Sequence, residues 1–269
     1  MSGIIETLFK WYGVTMFIIT GGGSGIGRAL ALSLAARGKE ILIIGRREQL
    51  LRETAASASA RIDYLCADVA TLDGLHAIKN HLGSITQIEG LVNNAGTLQP
   101  LAELKDMDPA EWQYALNTNL NAALFLPQML YEKLIQGRVL NIGSGAAYFA
   151  IKGWGAYCVS KAALAMLSKC WQLESKSISF ASVMPGIIDT NMQVIARSDA
   201  NPDHDKGNFY FRLKEQGRLV APETVAEFLT WLLLDVDNQT FVSREWDIYD
   251  TKHHANWLKP PHQVLHWDY

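Results

Sequence analysis

The sequence has few cysteines, and none of them is arranged as a structural pair. The 269 residues contain three, Cys66, Cys158 and Cys170, without any CxxC spacing. An odd number of isolated thiols argues against a disulfide framework and against a thiolate zinc site. We therefore expect no bound metal and a reducing compartment, the cytoplasm.

Positive charge and long apolar runs are also lacking. Lys and Arg total 24 against 27 Asp and Glu, and the formal net charge is -3. Without a basic block the chain lacks the cationic surface that nucleic-acid binding requires. No apolar run approaches the ~20 residues of a membrane span, and no signal-peptide pattern opens the chain. We expect neither nucleic acid nor membrane as a partner.

Short apolar runs alternate with helical patterns along most of the chain. Strands are predicted over Met16 to Ile19, Ile41 to Ile44, Ile62 to Cys66, Ile88 to Val92, Val139 to Ile142 and Ile178 to Val183, with a late strand around Phe241 to Tyr249. Long helices are predicted over Pro109 to Leu134 and Ala156 to Ser175. This alternation predicts an α/β fold, a single doubly wound, Rossmann-like parallel sheet with helices on both faces.

The domain boundaries follow from where this alternation starts and stops. We expect one domain over residues 16–250, an N-terminal extension of unknown role over 1–15 and a C-terminal tail over 251–269. Between Thr190 and about Gly217 the pattern gives way to polar residues, which predicts either a lid over a site or a plain surface loop. In the tail, His262 and His266 have no third ligand spaced to help them bind a metal, so surface or partner packing is expected.

The first strand runs into a glycine-rich turn, Thr20-Gly-Gly-Gly-Ser-Gly-Ile-Gly27, and then a helix. Glycines let the backbone approach a ligand closely, and the helix start presents free amides to a pyrophosphate. Arg46 and Arg47 follow the second strand, where guanidinium groups suit a ribose 2′-phosphate. The pattern predicts NADP(H) over NAD(H); a purely structural turn and solvated arginines are the alternatives.

Tyr157 and Lys161 are four residues apart in a predicted helix and therefore share one face. A nearby ammonium favours the phenolate and moves the pKa of a tyrosine towards neutrality, which allows acid–base chemistry. Taken alone, such a spacing more often indicates an exposed tyrosine beside a solvated lysine.

These features occur in one order with Asn93-Asn94-Ala95-Gly96, Asn119, Ser144 and Pro185-Gly186. From residue 16 to 250 the sequence resembles the short-chain dehydrogenase/reductase family. The resemblance implies a catalytic set of Asn119, Ser144, Tyr157 and Lys161. In it, Tyr157 donates a proton to a substrate carbonyl and Ser144 binds the carbonyl oxygen. Lys161 binds the nicotinamide ribose, and Asn119 holds a water.

The resemblance also implies the binding residues. Those for the cofactor are Gly21, Ser24, Gly25, Ile26, Gly27, Arg46, Arg47, Asp68, Val69, Asn93, Ala95, Gly96, Tyr157, Lys161, Pro185, Gly186, Ile188 and Thr190. Those for the substrate are Ser144, Gly145, Tyr157, Gly186 and Asp247. The stretch Gly143-Ser144-Gly145 departs from the Ser-Ser that is commoner in the family.

Three stretches of the C-terminal third, 185–193, 212–220 and 241–250, narrow the resemblance. They are similar to the corresponding stretches of the sepiapterin reductase and benzil reductase members of the family. That similarity implies an NADPH-dependent reductase of a conjugated or vicinal dicarbonyl, with Asp247 binding the substrate or, alternatively, only holding a loop. The other functions considered are an alcohol dehydrogenase or 3-oxoacyl reductase and a noncatalytic NADP(H) sensor. Family members commonly assemble through their two long helices, so a homodimer or homotetramer is expected.

Overall fold

The computed structural model describes residues 15–58, 61–198 and 201–265. The expected N-terminal extension lies outside the described residues except for Thr15, which begins the first strand. His266, one of the two tail histidines, also lies outside them.

A seven-stranded, wholly parallel sheet forms the centre of the domain, in the order β3-β2-β1-β4-β5-β6-β7. The strands are β1 Thr15–Thr20, β2 Glu40–Gly45, β3 Ile62–Cys66, β4 Gln87–Asn93, β5 Arg138–Ile142, β6 Ser179–Met184 and β7 Trp246–Asp247. The order reverses between β1 and β4, which opens a crevice at the carboxyl ends of these strands. The predicted doubly wound α/β fold is confirmed.

The strands are apolar throughout because both faces of the sheet are covered. In β1, Phe17 and Ile19 pack into one core, whereas Met16 and Ile18 pack into the other. All four side chains are at most 1% exposed. A strand whose alternate residues serve two cores has no polar face, which is why β1 and β2 read as continuous hydrophobic runs.

Eleven α-helices occur within the described ranges, and they lie on both faces of the sheet. They are α1 Gly25–Ala36, α2 Glu48–Ala56, α3 Leu72–His81, α4 Pro109–Leu116, α5 Ala122–Met129, α6 Gly155–Glu174, α7 Asn191–Ala196, α8 His204–Glu215, α9 Pro222–Leu234, α10 Asn238–Phe241 and α11 His254–Trp257. Helices α1 and α9 cover one face, and α3 and α5 cover the other.

The prediction of one long helix over Pro109 to Leu134 is wrong, both in the interior of that segment and at its end. A π-helical turn, Asn117–Asn121, separates α4 from α5, and α5 ends at Met129. The Thr118 hydroxyl donates 2.9 Å to the Tyr114 carbonyl, a side-chain bond that competes with the regular helix ladder. Leu130 and Leu134 remain buried beyond the helix, so the apolar pattern does not mark its end.

The polar segment after Thr190 is not a structureless loop, because it contains the two helices α7 and α8. Helix α8 begins with the Asp203 carboxylate accepting 2.9 Å from the Lys206 amide, a typical N-cap. Only Tyr210 and Leu213 of this helix are buried. Two apolar residues in a charged segment are too few to reveal a helix by periodicity.

The late strand is also shorter than predicted, since β7 contains only Trp246–Asp247 and the preceding Asn238–Phe241 is helical. Past residue 250 the chain stays attached to the domain. His253 and Trp257 are each 5% exposed and pack beside Phe228 of α9. This part of the tail therefore belongs to the domain's own core.

Candidate active site

A cleft of about 1420 Å³ opens at the carboxyl ends of the strands. It extends from the glycine-rich turn after β1 to the segments that follow β5, β6 and β7. The carboxyl edge, at the point where strand order reverses, is where doubly wound sheets bind their ligands. The cleft is therefore the candidate site.

The glycine-rich turn brings bare backbone to one end of the cleft. Gly21 and Gly25 have φ values of 70° and 53°, which side chains rarely adopt. A Cβ on Gly27 would lie 2.4 Å from the Gly21 carbonyl oxygen, so Gly27 lets α1 start tightly against the turn. Ser24 precedes α1 without capping it by its side chain. The first amides of α1 are thus free for an anion.

Two arginines border this end of the cleft. Arg47 donates 2.8 Å to the Ser24 hydroxyl, which places a guanidinium beside the glycine turn. Arg46 hydrogen-bonds the Tyr114 hydroxyl, and that hydroxyl donates 2.7 Å to the Asp68 carboxylate. Both arginines are exposed and line the cleft. This geometry fits a phosphate group, and Tyr114 is the arginine partner that the sequence analysis missed.

The segment after β4 is tied to the end of β1 by Thr20. The Thr20 hydroxyl accepts from the amides of Asn94 and Ala95 at 3.0 and 2.9 Å. Asn94 donates 2.8 Å back to the Thr20 carbonyl. Asn93 instead points into the sheet and donates 2.8 Å to Asn141, away from the cleft. Asn94, rather than Asn93, lines the cleft.

Tyr157 lies near the middle of the cleft, on the first turn of α6, with 8% of its surface exposed. Burial raises the pKa of its phenol above 10.0, and a hydrogen bond with Ser144 opposes that rise. The lowering of this pKa expected from Lys161 does not occur, because desolvation of the phenolate is the largest effect and only Ser144 opposes it. At neutral pH the phenol therefore carries its proton.

Lys161 is buried beneath the same cleft, one turn further along α6. Its ammonium donates 2.7 Å to the Ile142 carbonyl and lies 5.7 Å from the Tyr157 ring centroid. Burial lowers its pKa to about 8. The helical spacing has therefore placed a phenol and an ammonium on one face, as predicted.

Asn119 lies behind this pair, in the π-helical turn, and does not line the cleft. It donates 2.9 Å to the Thr97 carbonyl and 3.1 Å to the Ser160 hydroxyl, and accepts 2.8 Å from the Thr97 amide. A Cβ on Gly96 would lie 3.4 Å from the Asn119 oxygen and 3.9 Å from the Lys161 ammonium. Because Gly96 has no side chain, the Asn119 oxygen and the Lys161 ammonium both approach the same point beside its backbone.

The loop after β6 forms the opposite wall. Gly186 has a φ of 86°, and a Cβ there would lie 2.8 Å from the Tyr249 hydroxyl. That hydroxyl accepts 3.0 Å from the Ile187 amide, so Tyr249 holds the loop in place. Further along, the Thr190 methyl lies 3.1 Å from the position of a Cβ on Gly25. The two walls of the cleft therefore meet near the glycine turn.

Asp247 lines the cleft at the end of β7 and is half-buried, which raises the pKa of its carboxyl. One carboxylate oxygen accepts 3.0 Å from the Tyr249 amide. The tail fixes this strand: His253 and His254 hydrogen-bond the carbonyls of Asp247 and Ile248 at 2.9 and 2.7 Å. Asp247 is thus both a loop-holding residue and a wall of the cleft.

An aromatic wall completes the site, and the sequence analysis missed it. Trp154 stacks on Tyr210 with ring centroids 5.8 Å apart and meets Tyr157 edge-on at 5.9 Å. Phe149 and Phe209 also line the cleft. Phe209 and Tyr210 come from α8, so the segment whose helices were not predicted supplies part of the wall.

Most of the expected site residues meet at this cleft, and three do not reach its surface. Those lining it are Gly21, Ser24, Gly25, Ile26, Arg46, Arg47, Asp68, Val69, Ala95, Gly96, Ser144, Gly145, Tyr157, Lys161, Pro185, Gly186, Ile188, Thr190 and Asp247. Gly27, Asn93 and Asn119 lie behind them. Among the described residues no cluster of three metal-ligating side chains occurs, and His262 hydrogen-bonds Thr224.

None of the helices within the described ranges combines the length and apolar character of a bilayer span.

Comparison with known proteins places these features in context. A family profile described as short chain dehydrogenase matches residues 15–201. Sepiapterin reductase of Meriones unguiculatus is 34% identical over 259 residues, covering 88% of this chain and 97% of the relative. Benzil reductase ((S)-benzoin forming) of Bacillus cereus is 32% identical over 233 residues, covering 80% and 92%.

A solved Beutenbergia cavernae protein, described as an NAD(P)-dependent gluconate 5-dehydrogenase with bound NADP at low occupancy, has a similar fold. It is 25% identical, with a TM-score of 0.74, and the match covers 88% of this chain and 95% of that one. The sequence motifs, the parallel sheet and the profile match agree with one another. The chain belongs to the short-chain dehydrogenase/reductase family of oxidoreductases, close to its sepiapterin and benzil reductase members.

Proposed function

We propose that the protein is an NADPH-dependent carbonyl reductase of a conjugated or vicinal dicarbonyl compound, with Tyr157 as the proton donor. One observation carries the proposal. A single cleft has two guanidinium groups beside a glycine turn at one end and a buried phenol–ammonium pair further along. An extended phosphorylated dinucleotide fits such an arrangement.

The preference for NADP(H) rests on Arg46 and Arg47. Their guanidinium groups lie after β2, where the adenosine ribose of a bound dinucleotide is expected, and charge-assisted bonds to a 2′-phosphate suit them. The free amides of α1 suit the pyrophosphate, and the Gly186 loop suits the nicotinamide end.

Bound nicotinamide in its reduced form supplies the hydride for carbonyl reduction. The chain's own residues supply the proton and the orientation. Tyr157, protonated because burial raises its pKa, donates to the carbonyl oxygen while the Ser144 hydroxyl binds that oxygen. Lys161 keeps a positive charge beneath the phenol and stabilises the phenolate left after transfer. Asn119 orders the backbone behind Lys161 and has the polarity to hold a water there.

The substrate class rests on the aromatic wall beside Tyr157. Trp154 and Tyr210, which stack on one another, line this part of the cleft with apolar ring surface that suits a conjugated molecule. Asp247 offers a carboxylate to a planar donor such as a guanidino group. Relatives named sepiapterin reductase and benzil reductase support a conjugated or vicinal dicarbonyl substrate for this chain.

The test is NADPH oxidation with sepiapterin, benzil, an aliphatic diketone and a 3-oxoacyl thioester, measured side by side, together with the dissociation constants of NADPH and NADH. We expect turnover with at least one of the flat substrates and tighter binding of NADPH. A preference for 3-oxoacyl compounds would contradict the substrate class. Binding of NADPH without oxidation across the whole panel would favour a sensor.

We also propose assembly through the two long helical segments. Phe125 of α5 is 40% exposed, and Val159 and Met166 of α6 are 48% and 59% exposed. Ala162 of α6 is exposed as well, whereas Leu164 and Ala165 are buried. Small and apolar side chains on one surface suit helix–helix contact between subunits. Sedimentation at micromolar concentration checks this proposal, and a monomer would contradict it.

The cysteines support the cytoplasm as the compartment. All three are free thiols, and Cys66 and Cys170 are exposed. Exposed free thiols persist where the surroundings are reducing.

A further inference from the structure

One cation of the cleft lies away from the two arginines. The Lys206 ammonium of α8 is 4.8 Å from the Phe209 ring centroid, 5.2 Å from that of Phe149 and 5.6 Å from that of Tyr210. All four side chains line the cleft. Lys206 has no role in the carbonyl reduction proposed above.

The surroundings of Lys206 favour an anion. An ammonium among ring faces has given up part of its hydration, and the rings replace only part of that energy. None of the ion pairs formed among the described residues includes Lys206. A carboxylate reaching this ammonium from the cleft forms a charge-assisted hydrogen bond, whereas a neutral group gains much less.

Lys206 is also close to the reacting groups. A ring carbon of Phe149 is 3.6 Å from the position of a Cβ on Gly145, the neighbour of Ser144. On the other side, Tyr210 stacks on Trp154, which meets Tyr157 edge-on. The Phe149 ring therefore lies between the ammonium and Gly145, and the two rings of Tyr210 and Trp154 lie between it and Tyr157. A substrate with its carbonyl at Tyr157 and its ring against Phe149, whose side chain is exposed, extends towards Lys206.

We propose that Lys206 is a specificity-determining residue that binds an anionic substituent of an aromatic carbonyl substrate, on the side of the ring remote from the reacting carbonyl. The substrate class is an aryl dicarbonyl bearing a carboxylate. Lys206 takes no part in hydride or proton transfer. This inference rests on the proposed carbonyl reduction and adds the charge of the substrate to it.

The experiment uses 1-phenylpropane-1,2-dione with a para-carboxylate and the same compound with a para-carboxamide, which has nearly the same shape without the charge. Wild type is compared with Lys206→Met, which keeps an apolar side chain against the rings, and Lys206→Arg, which keeps the charge. Lys79→Met is the matched control, because Lys79 is an exposed residue of α3 and lies outside the cleft.

For Lys206→Met we expect kcat/KM with the carboxylate to fall roughly tenfold because KM rises, as for loss of one partly desolvated charge contact. With the carboxamide, kcat/KM should change by less than about twofold. Lys206→Arg retains the discrimination, and Lys79→Met leaves both values unchanged. Added salt lowers kcat/KM for the carboxylate in wild type, Lys206→Arg and Lys79→Met, but not in Lys206→Met. Equal changes with both compounds, or no change with either, overturn the proposal.

Binding without turnover separates this inference from the proposed reduction. Benzoate and benzamide are titrated against the NADPH complex by tryptophan fluorescence, since Trp154 lines the cleft. We expect Lys206→Met to weaken benzoate and to leave benzamide unchanged. If wild type reduces neither dione, the proposed reduction fails, while the benzoate titration still decides on Lys206. A drop in Tm with equal loss for both ligands shows a packing role and overturns the proposal.

Discussion

The two ends of the cleft are built by different means. At the glycine-turn end, the contacts involve backbone of neighbouring strands, as in the Thr20 hydroxyl that accepts from the amides of Asn94 and Ala95. At the aromatic end, side chains pack against one another, as where Trp154, which precedes α6, stacks on Tyr210 of α8. Backbone geometry at the first end suits a phosphate group, whereas side-chain packing at the second suits a role in substrate specificity.

Tyr157 lies where the two ends join, and replacing it should have the largest effect. Tyr157→Phe removes the proton donor but retains the ring, so we expect kcat to fall by about 10²-fold to 10⁴-fold. The dissociation constant of NADPH should hardly change, because the hydroxyl is small beside the whole cofactor surface. Stopped-flow NADPH oxidation and fluorescence titration measure the two quantities.

The control for that variant is Tyr131→Phe, whose hydroxyl hydrogen-bonds Ser177 outside the cleft. It should turn over like wild type. Near-normal kcat in Tyr157→Phe would assign the proton to another group.

The glycine-turn end is tested by removing both guanidinium groups. In the double variant Arg46→Ala and Arg47→Ala we expect NADPH to bind roughly tenfold to a hundredfold more weakly, as for lost charge-assisted bonds, and NADH to be little affected. Calorimetric titration gives both constants, with Arg52→Ala on α2 as the control. An equal rise in the dissociation constants of NADPH and NADH would mean that neither arginine binds the 2′-phosphate.

The lowered pKa of Lys161 predicts how the rate of reduction depends on pH. Its pKa is lowered to about 8 by burial, so the ammonium loses its charge as pH rises through that value. We expect kcat/KM for reduction to fall by about tenfold per pH unit above it. Lys161→Arg keeps its charge at all accessible pH values and should shift this decline upward. A decline at the same pH in both proteins would assign it to another group.

Replacing Asp247 tests whether its carboxylate binds a hydrogen-bond donor of the substrate at the aromatic end of the cleft. Asp247→Asn removes the charge but keeps an oxygen for the Tyr249 amide. We expect KM for sepiapterin to rise about tenfold, because a charge-assisted pair is lost, and KM for benzil to stay the same. Steady-state kinetics with the two substrates provide an internal control. A parallel rise in both would reduce Asp247 to a loop-holding residue.

The smallest expected effect concerns the tail. His253 accepts 2.8 Å from the Trp257 indole and hydrogen-bonds Asp247, and His253→Phe keeps the stack on Phe228 but loses both bonds. We expect a loss of about 1–3 kcal/mol in unfolding free energy. Urea unfolding measures it, with His204→Gln as an exposed control. Unchanged stability would show that the two hydrogen bonds of His253 contribute nothing.

The same histidine predicts how stability depends on pH. Burial lowers the pKa of His253 below 6.5, so the unfolded chain binds its proton more readily than the folded one. The stability from neutral His253 is present above pH 6.5 and declines as pH falls through the folded-state pKa. Unfolding curves for wild type and His253→Phe should converge towards acid pH; a constant gap would contradict this origin.

The sequence predicts the glycine-turn end better than the aromatic end for a physical reason. β3 is predicted to the residue over Ile62–Cys66, and the i,i+4 spacing of Tyr157 and Lys161 survives in α6 because both signals are local. Helix α8 was missed because its buried residues contact distant segments. Asn93 was misplaced because neighbouring asparagines in one motif face opposite ways, which only the sheet geometry reveals.

The most direct test of the account is a crystal structure of the protein with NADP⁺. The account predicts the 2′-phosphate between Arg46 and Arg47, the pyrophosphate against the start of α1, and the nicotinamide ring beside the Tyr157 hydroxyl. A dinucleotide bound in the reverse direction, or with its nicotinamide ring away from Tyr157, would contradict it.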